Sequence, residues 1–187
     1  QCSLIVHHWK KIIIPPSVNE ICSCAFFKCE SLSEIIIPKT ITSIGNFAFN
    51  KCSSLTRIVI PSSVEFIGEY SFSSCSKLTE IKLSPSISII NNGLFEGCSS
   101  LKSIEIPSSV IKIEKYAFSG CTSLKSVPIP SSVKSIGGNA FYGCSSVEKI
   151  SIPSSISMIA KSTFEKCSGL TEILIPDSVT MISEHSF

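Results

Sequence analysis

One interval dominates this sequence: seven cysteines recur every 23 residues along most of its length. They are Cys29, Cys52, Cys75, Cys98, Cys121, Cys144 and Cys167. A fixed period of about 20 to 50 residues is typical of solenoids, in which each repeat forms one coil and equivalent residues stack in columns. The interval therefore predicts an elongated repeat protein, and it raises the question of whether the cysteines serve packing or chemistry.

Apolar residues keep the same period. A phenylalanine precedes each cysteine by three residues, and aliphatic residues follow it at three, six and eight, giving the unit C-S-S-L-x-x-I-x-I-P-S-S-V-x-x-I-G-x-x-A-F-x-x. The alternation in L-x-x-I-x-I predicts a strand that is buried on one face. Proline then ends the strand because it has no N–H to donate, although Ser84-Pro85 inverts the usual order in one repeat.

The rest of the repeat predicts shorter elements. The V-x-x-I segment indicates a second short strand, and the spacing in A-F-x-x-C indicates a single helical or 3₁₀ turn. Gly45, Gly68 and Gly137 follow the isoleucine of this second strand, where we expect them to allow a tight bend.

The period also sets the domain organisation. Residues 1–187 are predicted to form a single right-handed solenoid of about eight coils, with one parallel sheet and short strand or 3₁₀ pieces opposite it. Residues 1–28 form a degenerate first repeat with Val6 in the cysteine position, and residues 29–187 form regular repeats, of which the last is truncated at Phe187. The start at Gln1 and this ending indicate a segment of a longer chain.

Composition excludes several classes of function. The chain is 43% hydrophobic with a net charge of only +2, which argues against disorder and against electrostatic attraction to nucleic acid or anionic lipid. The sequence has no apolar run near the roughly 20 residues that a membrane helix needs. It contains no nucleophile elbow or P-loop, so we expect neither an enzyme nor a cofactor.

The repeat unit resembles one particular class of leucine-rich repeat. The run L-x-x-I-x-I-P-S-S-V-x-x-I-G-x-x-A-F-x-x-C is similar to the BspA-like, or Treponema pallidum-type, family, and its serine-rich spelling most resembles the protozoan members found in trichomonads and amoebae. The resemblance implies a cell-surface or secreted protein that recognises other proteins in adhesion. The alternative is an intracellular scaffold, for which buried free cysteines and the absence of any Asn-x-Ser/Thr glycosylation sequence are mild arguments.

Three roles for the cysteines are open from the residues alone. Neighbouring parallel strands lie about 4.8 Å apart, so distance alone allows disulfides between adjacent coils. Equivalent side chains in a column point the same way, however, which favours a buried ladder of free thiols over partial disulfides or a metal site. Cys22 and Cys24 lie near Cys29, Cys2, His7 and His8 in sequence, but their spacing is not that of a structural zinc site. Ordinary apolar filling is favoured for these two cysteines over a local N-terminal disulfide or a metal site.

Partner binding is predicted on the exposed face of the main strand. One outward column begins Lys11, Glu34, Arg57 and Glu80, and its alternating charges are interpreted first as a ladder that fixes coil register. The second outward column begins with three aliphatic residues, Ile13, Ile36 and Val59. Beta propensity alone explains these three, but an exposed apolar patch beside Lys11 and Arg57 also predicts a binding site for a protein partner.

A further apolar set falls two residues after the valine column. Its members are Phe66, Ile89, Met158 and Met181. The sequence leaves open whether they are exposed or covered by a neighbouring molecule.

Overall fold

The computed structural model describes residues 8–187, which form a solenoid of about seven turns with a spacing of about 23 residues. Parallel strands recur in each turn, and these residues contain no helix, so none of them forms a helix that could cross a membrane. The predicted leucine-rich-repeat type of solenoid is thereby confirmed.

Two short strands recur along the coils. The main strands are β1 (Lys11–Ile13), β3 (Glu34–Ile36), β5 (Arg57–Val59), β7 (Glu80–Lys82), β11 (Lys149–Ser151) and β13 (Glu172–Leu174). The second strands are β2 (Glu20–Ile21), β4 (Ser43–Ile44), β6 (Phe66–Ile67), β8 (Ile89–Ile90), β9 (Lys112–Ile113), β10 (Ser135–Ile136), β12 (Met158–Ile159) and β14 (Met181–Ile182). In most of them the central or last residue is buried and its neighbours face outward.

The main strands pair in parallel, but in three separate sheets: β1 with β3, β5 with β7, and β11 with β13. Between β7 and β11 only isolated bridges join Ser103, Ser126 and Lys149. Pro128 occupies a strand position in this stretch and has no N–H for a ladder bond, which accounts for the interruption there. The structure thus divides the single sheet expected from the repeat into short paired units.

The core is one continuous stack of columns. It runs from Ile14 to Phe164 and includes the leucine, isoleucine, valine and cysteine positions of the central coils, while the equivalent residues of the first and last described coils are only partly buried. The phenylalanine rings from Phe26 to Phe187 stack on one another with centroids 5.1 to 5.9 Å apart. Each coil therefore packs only on its two neighbours, as the repeat period predicts.

The A-F-x-x-C segment is a run of hydrogen-bonded turns and not the predicted helical or 3₁₀ turn. The Phe49 N–H donates to the Ser71 carbonyl of the next coil at 2.8 Å, whereas the Asn50 N–H donates to Phe47 within its own coil at 3.1 Å. This alternation requires a left-handed backbone at Phe47 (φ 57°) and at Lys51 (φ 62°). Bonds between coils therefore replace the continuous local bonds of a helix.

Gly45 serves close packing of backbones and not the tight bend that was predicted. A Cβ added at Gly45 would lie 2.4 Å from the Ser23 nitrogen of the preceding coil. Gly45 donates its own N–H to Ile21 at 2.7 Å, which explains why the two chains come so close. A side chain at this position would push neighbouring coils apart.

Serine hydroxyls join neighbouring coils after each proline. Ser63, Ser109 and Ser132 each donate to a carbonyl oxygen of the preceding coil at 2.7 Å. These bonds give the serine-rich turns a structural role, in which each hydroxyl satisfies a backbone acceptor. The inverted repeat keeps this scheme, since Ser86 donates to Ser62 at 2.7 Å beside the fully buried Ser84.

One position of the repeat, occupied by Lys51 and Gly143 among others, has a left-handed backbone in successive coils and gives a first test of the fold. Gly143 has φ 69°, and a Cβ there would come no closer than 4.0 Å to any neighbour, so Gly143→Ala tests backbone conformation alone. We expect a loss of about 1 kcal/mol in the free energy of unfolding, measured by urea titration, because L-residues are strained in this region. Lys51→Gly, at the equivalent position, should change stability in the opposite direction. Equal effects of the two changes would contradict the assignment.

Candidate functional site

The outward charges of the main strands form two ion pairs. The Lys11 Nζ lies 2.8 Å from the Glu34 Oε1, and the Arg57 Nη2 lies 3.4 Å from the Glu80 Oε1. The pairs lie within the β1–β3 and β5–β7 sheets, so each joins two coils that also share a backbone ladder. All four side chains are more than half exposed, and each pair contributes at most about 1 kcal/mol.

Beside these ion pairs lies an exposed row of three aliphatic side chains, here named the aliphatic patch: Ile13, Ile36 and Val59. Their exposed fractions are 64%, 45% and 48%. They face outward because the strand alternates and the residue before each of them faces the core. Ile13 lies directly opposite Ile36 in the β1–β3 register. The structure therefore brings together all five residues predicted for partner binding.

A shallow groove crosses the patch between β3 and β5. In the described part of the chain these two strands share no ladder pairing, although they belong to adjacent coils. Ile36 and Val59 line the groove, and Lys39, Arg57 and Pro61 stand at its borders. The open seam leaves room between two exposed aliphatic side chains for an apolar group of a partner.

Charged residues end the patch. Lys82 follows Val59 in the same column, directly opposite it in the β5–β7 register, and Glu105 follows one coil later. Neither side chain forms an ion pair with any residue in 8–187. Along this outward column, the aliphatic patch is therefore followed by two charged side chains of opposite sign, Lys82 and Glu105, that form no ion pair within residues 8–187.

The seven cysteines of the 23-residue column point into the core as free thiols. The Cys98 Sγ lies 3.1 Å from the Phe72 carbonyl oxygen, and the same contact of 3.1 to 3.2 Å recurs from Cys52 to Cys167. Burial raises the pKa of the Cys98 thiol well above its ordinary value, and the neighbouring Cys121 adds to the shift. At the end of the column, burial raises the pKa of Cys167 to about 11.

These thiols are chemically quiet. A thiolate is the form that attacks substrates or binds metals, and a pKa raised by burial keeps the thiol protonated at neutral pH. From Cys52 to Cys167, each thiol of the column also donates to a carbonyl that already accepts a backbone bond, as Phe72 does from Cys75. The geometry supports the packing role proposed for the column.

The N-terminal cysteines give no metal site in the described residues. Cys22 is exposed and Cys24 is half-buried with a left-handed backbone. No group of three potential metal ligands occurs within residues 8–187. Cys2 and His7, which complete the cluster considered from the sequence, lie outside the described residues.

Two exposed features go beyond the predicted site. Phe47 and Tyr70 stack at 5.3 Å on the rim of the coils, where the sequence shows only two aromatic residues one period apart. On the flank, Phe66, Met158 and Met181 are 51%, 44% and 57% exposed. Met158 lies directly opposite Met181 in the β12–β14 register, whereas Phe66 lies on β6 in another sheet, so the exposed row on this flank is limited to two methionines.

Solved structures share this fold. A leucine-rich repeat protein from Bacteroides ovatus is 32% identical with a TM-score of 0.73 over 91% of this chain and 56% of its own. The Treponema pallidum leucine-rich repeat protein is 27% identical with a TM-score of 0.64 over 94% of this chain and 74% of its own. The pneumococcal vaccine antigen PcpA is 25% identical with a TM-score of 0.68 over 91% of this chain and 51% of its own.

This chain thus spans just over half the length of the Bacteroides protein. No protein of curated function matches it. Residues 6–110 and 88–187 match six copies of the BspA type leucine-rich repeat region, a kind of solenoid that typically serves as a binding scaffold. The resemblance predicted from the repeat unit is confirmed, while the protozoan origin stays a prediction. The chain belongs to the BspA-type leucine-rich repeat family.

Proposed function

We propose that this chain is a non-enzymatic protein-recognition module of a cell-surface protein and that it acts in adhesion. The observation that carries the proposal is the aliphatic patch: three exposed aliphatic side chains in adjacent coils, on the outward faces of β1, β3 and β5, with no ladder pairing between β3 and β5. Contiguous exposed apolar patches with a charged border often mark sites at which a protein binds a partner.

The energetics indicate that the patch is the centre of a larger interface. Full burial of an aliphatic side chain contributes roughly 1.5–3 kcal/mol. About half of each of these three side chains is still exposed, so covering all three with a partner contributes about 4 kcal/mol to binding. Micromolar affinity requires about 8 kcal/mol. The remainder must come from flanking contacts, for which Lys11 and Arg57 on one side and Pro61 on the other are in position.

The surface location rests on the family and on one structural neighbour. PcpA is a pneumococcal vaccine antigen, and this chain shares its fold over 91% of its length. The cysteine column is compatible with an oxidising exterior, because buried protonated thiols react slowly with oxidants. The free thiols therefore do not favour the alternative of an intracellular scaffold.

Replacing Ile36 by aspartate tests the proposal. We expect Ile36→Asp to weaken partner binding at least tenfold, because it places an unpaired carboxylate in the apolar centre of the interface. Stability should fall by about 1 to 2 kcal/mol, since about half of the side chain is buried and aspartate disfavours a strand, so the variant should stay folded. Ser151→Asp is the matched control, because Ser151 occupies the same column outside the patch.

The partner can be identified with the protein itself as the probe. A photo-crosslinking residue placed at position 36, and in a second sample at position 151, is exposed to the native cell surface and to host cells. Adducts specific to position 36 are identified by mass spectrometry, and each candidate is then titrated against the purified variants. If Ile36→Asp and the control bind equally well, the patch is not the site.

A further inference from the structure

The spacing of the aliphatic patch indicates what kind of element it receives. The paired strands β1 and β3 lie about 4.8 Å apart, and the coils that carry β3 and β5 stack their Phe26 and Phe49 rings at 5.1 Å, so Ile13, Ile36 and Val59 are spaced at about 0, 5 and 10 Å along the solenoid axis. Residues i, i+4 and i+7 of an α-helix lie on one face at about 0, 6 and 10.5 Å along its axis. We infer that the patch binds an amphipathic α-helix of a protein partner, laid along the solenoid axis; this inference rests on the proposed function.

An extended partner strand fits the same surface poorly. Residues on one face of a strand recur at about 6.7 Å, so the third contact would be displaced by about 4 Å from Val59. Insertion of a strand into the seam between β3 and β5 is also excluded by the core. The Phe26 and Phe49 rings of the adjoining coils stack at 5.1 Å and the next pair at 5.2 Å, which leaves no gap of a strand's width.

The charges beyond the patch define the rest of the partner sequence. Lys82 and Glu105 continue the column at about 14 and 19 Å from Ile13, and neither forms an ion pair within residues 8–187. On a helix the corresponding positions are i+11 and i+14, at about 16.5 and 21 Å, which long side chains can bridge. The partner helix is therefore apolar at i, i+4 and i+7, acidic at i+11 and basic at i+14.

The charged column beside the aliphatic patch, which begins Lys11, Glu34, Arg57 and Glu80, favours a partner helix whose adjacent side chains are uncharged. Lys11 and Arg57 are each already paired with a glutamate of the neighbouring coil, so this column presents no net charge. A helix whose adjacent face carries amide or hydroxyl side chains would leave those pairs intact. Selectivity then comes from the apolar triplet and from the two charges that follow it.

Designed peptides test the inference directly. The probes are two fluorescein-labelled helical peptides of 18 residues on an alanine–glutamine background, one with the order Leu, Leu, Leu, Glu, Lys at these spacings and one with that order reversed. A third peptide of the same composition alternates leucine at every second position, as a strand would. Each is titrated against the whole 187-residue protein by fluorescence anisotropy.

We expect one helical peptide to bind saturably with a dissociation constant of about 0.1 to 1 mM, because its three leucines contribute about 4 kcal/mol and its two charges add to that. The strand-patterned peptide should not bind over the same range of protein concentration. Ile36→Asp should weaken that binding at least tenfold, and Ser151→Asp should leave it unchanged. Lys82→Glu should also weaken it about tenfold, and a peptide with lysine in place of its glutamate should restore it. Restoration by charge reversal would show contact with Lys82, which nonspecific adsorption does not produce.

Two outcomes would overturn the inference: neither helical peptide binds, or the strand-patterned peptide binds as tightly as the helical ones. If the peptides fail while Ile36→Asp still abolishes binding to the native partner, only the helical form of the partner is refuted. If the native partner is indifferent to Ile36→Asp, the proposed function itself is refuted.

Discussion

Raising the pH from 8 to about 10 is expected to unfold the solenoid cooperatively, because the buried cysteines must ionise. Burial raises the pKa values of Cys52, Cys75, Cys98, Cys121 and Cys144 well above the ordinary value. In the unfolded chain these thiols ionise near pH 8.5. The folded state thus keeps protons that the unfolded state releases, so stability is constant below about pH 8.5 and falls above it.

The size of the effect follows from the number of thiols. Each loses about 1.4 kcal/mol per pH unit above its unfolded pKa, so five thiols together remove about 10 kcal/mol by pH 10. The total stability of a domain is about 5 to 15 kcal/mol. Circular dichroism at the strand minimum and thiolate absorbance should therefore show a single coincident transition. Both are recorded in reductant on a protein whose three cysteines outside the column, Cys2, Cys22 and Cys24, are replaced by serine.

A single-site variant isolates the contribution of one thiol. Cys121→Ala will be less stable at neutral pH because it leaves a small cavity. The loss of stability between pH 7.5 and pH 9.5 should nevertheless be smaller in the variant by about 1.4 kcal/mol, measured by urea titration at both values. In a protein whose three cysteines outside the column are replaced by serine, thiolate absorbance that rises near pH 8.5 while the dichroism stays native would show that the column is accessible, and the packing role would fail.

The core was predictable from the sequence because every coil repeats the same environment. The period alone assigned Phe95, Leu101, Ile104 and Cys98 to one face, and the structure buries all four. A residue in a solenoid packs against the equivalent residues of the preceding and following coils, so a column of identical residues indicates that the same contacts recur in every coil. Burial could therefore be inferred without knowing the path of the chain.

The turns were not predictable in the same way. The left-handed backbone falls on Lys51, Tyr70 and Lys166 as well as on glycines, so composition gives little sign of it. The strain is offset by hydrogen bonds between coils, such as Lys51 to Ser73 at 2.8 Å. A local pattern cannot show bonds whose acceptors lie 22 residues away, which is why A-F-x-x-C indicated a helical turn.

The exposed residues of the proposed binding face were predictable from the sequence, but the seam and the ion pairs that shape its surface were not. Alternation placed Ile13, Ile36 and Val59 outward, and the structure exposes all three. The seam between β3 and β5 has no counterpart in the sequence, because no proline interrupts either strand. The alternating charges predicted a continuous ladder. The structure instead forms two separate ion pairs, Lys11–Glu34 and Arg57–Glu80, with no ion pair between Glu34 and Arg57.

Removing one ring from the centre of the phenylalanine stack is expected to cost about 3 to 5 kcal/mol. Phe118 is fully buried and stacks on Phe95 at 5.5 Å and on Phe141 at 5.3 Å. Phe118→Ala leaves its backbone bonds in place, including the N–H donated to Ala140 at 2.8 Å, so the loss comes from the cavity and from the two ring contacts. Urea titration followed by circular dichroism measures the change.

The position of the ring in the stack decides how the protein responds. Coils interact only with their neighbours, so a cavity at Phe118 weakens the coupling between the N-terminal and C-terminal coils. Hydrogen exchange should show the C-terminal coils, with fewer intact neighbours, opening before the N-terminal ones. Phe187→Ala is the matched control, because Phe187 is half exposed, stacks on one ring only, and should lose about 1 kcal/mol or less. Equal losses at the two positions would mean that the stack does not couple the coils.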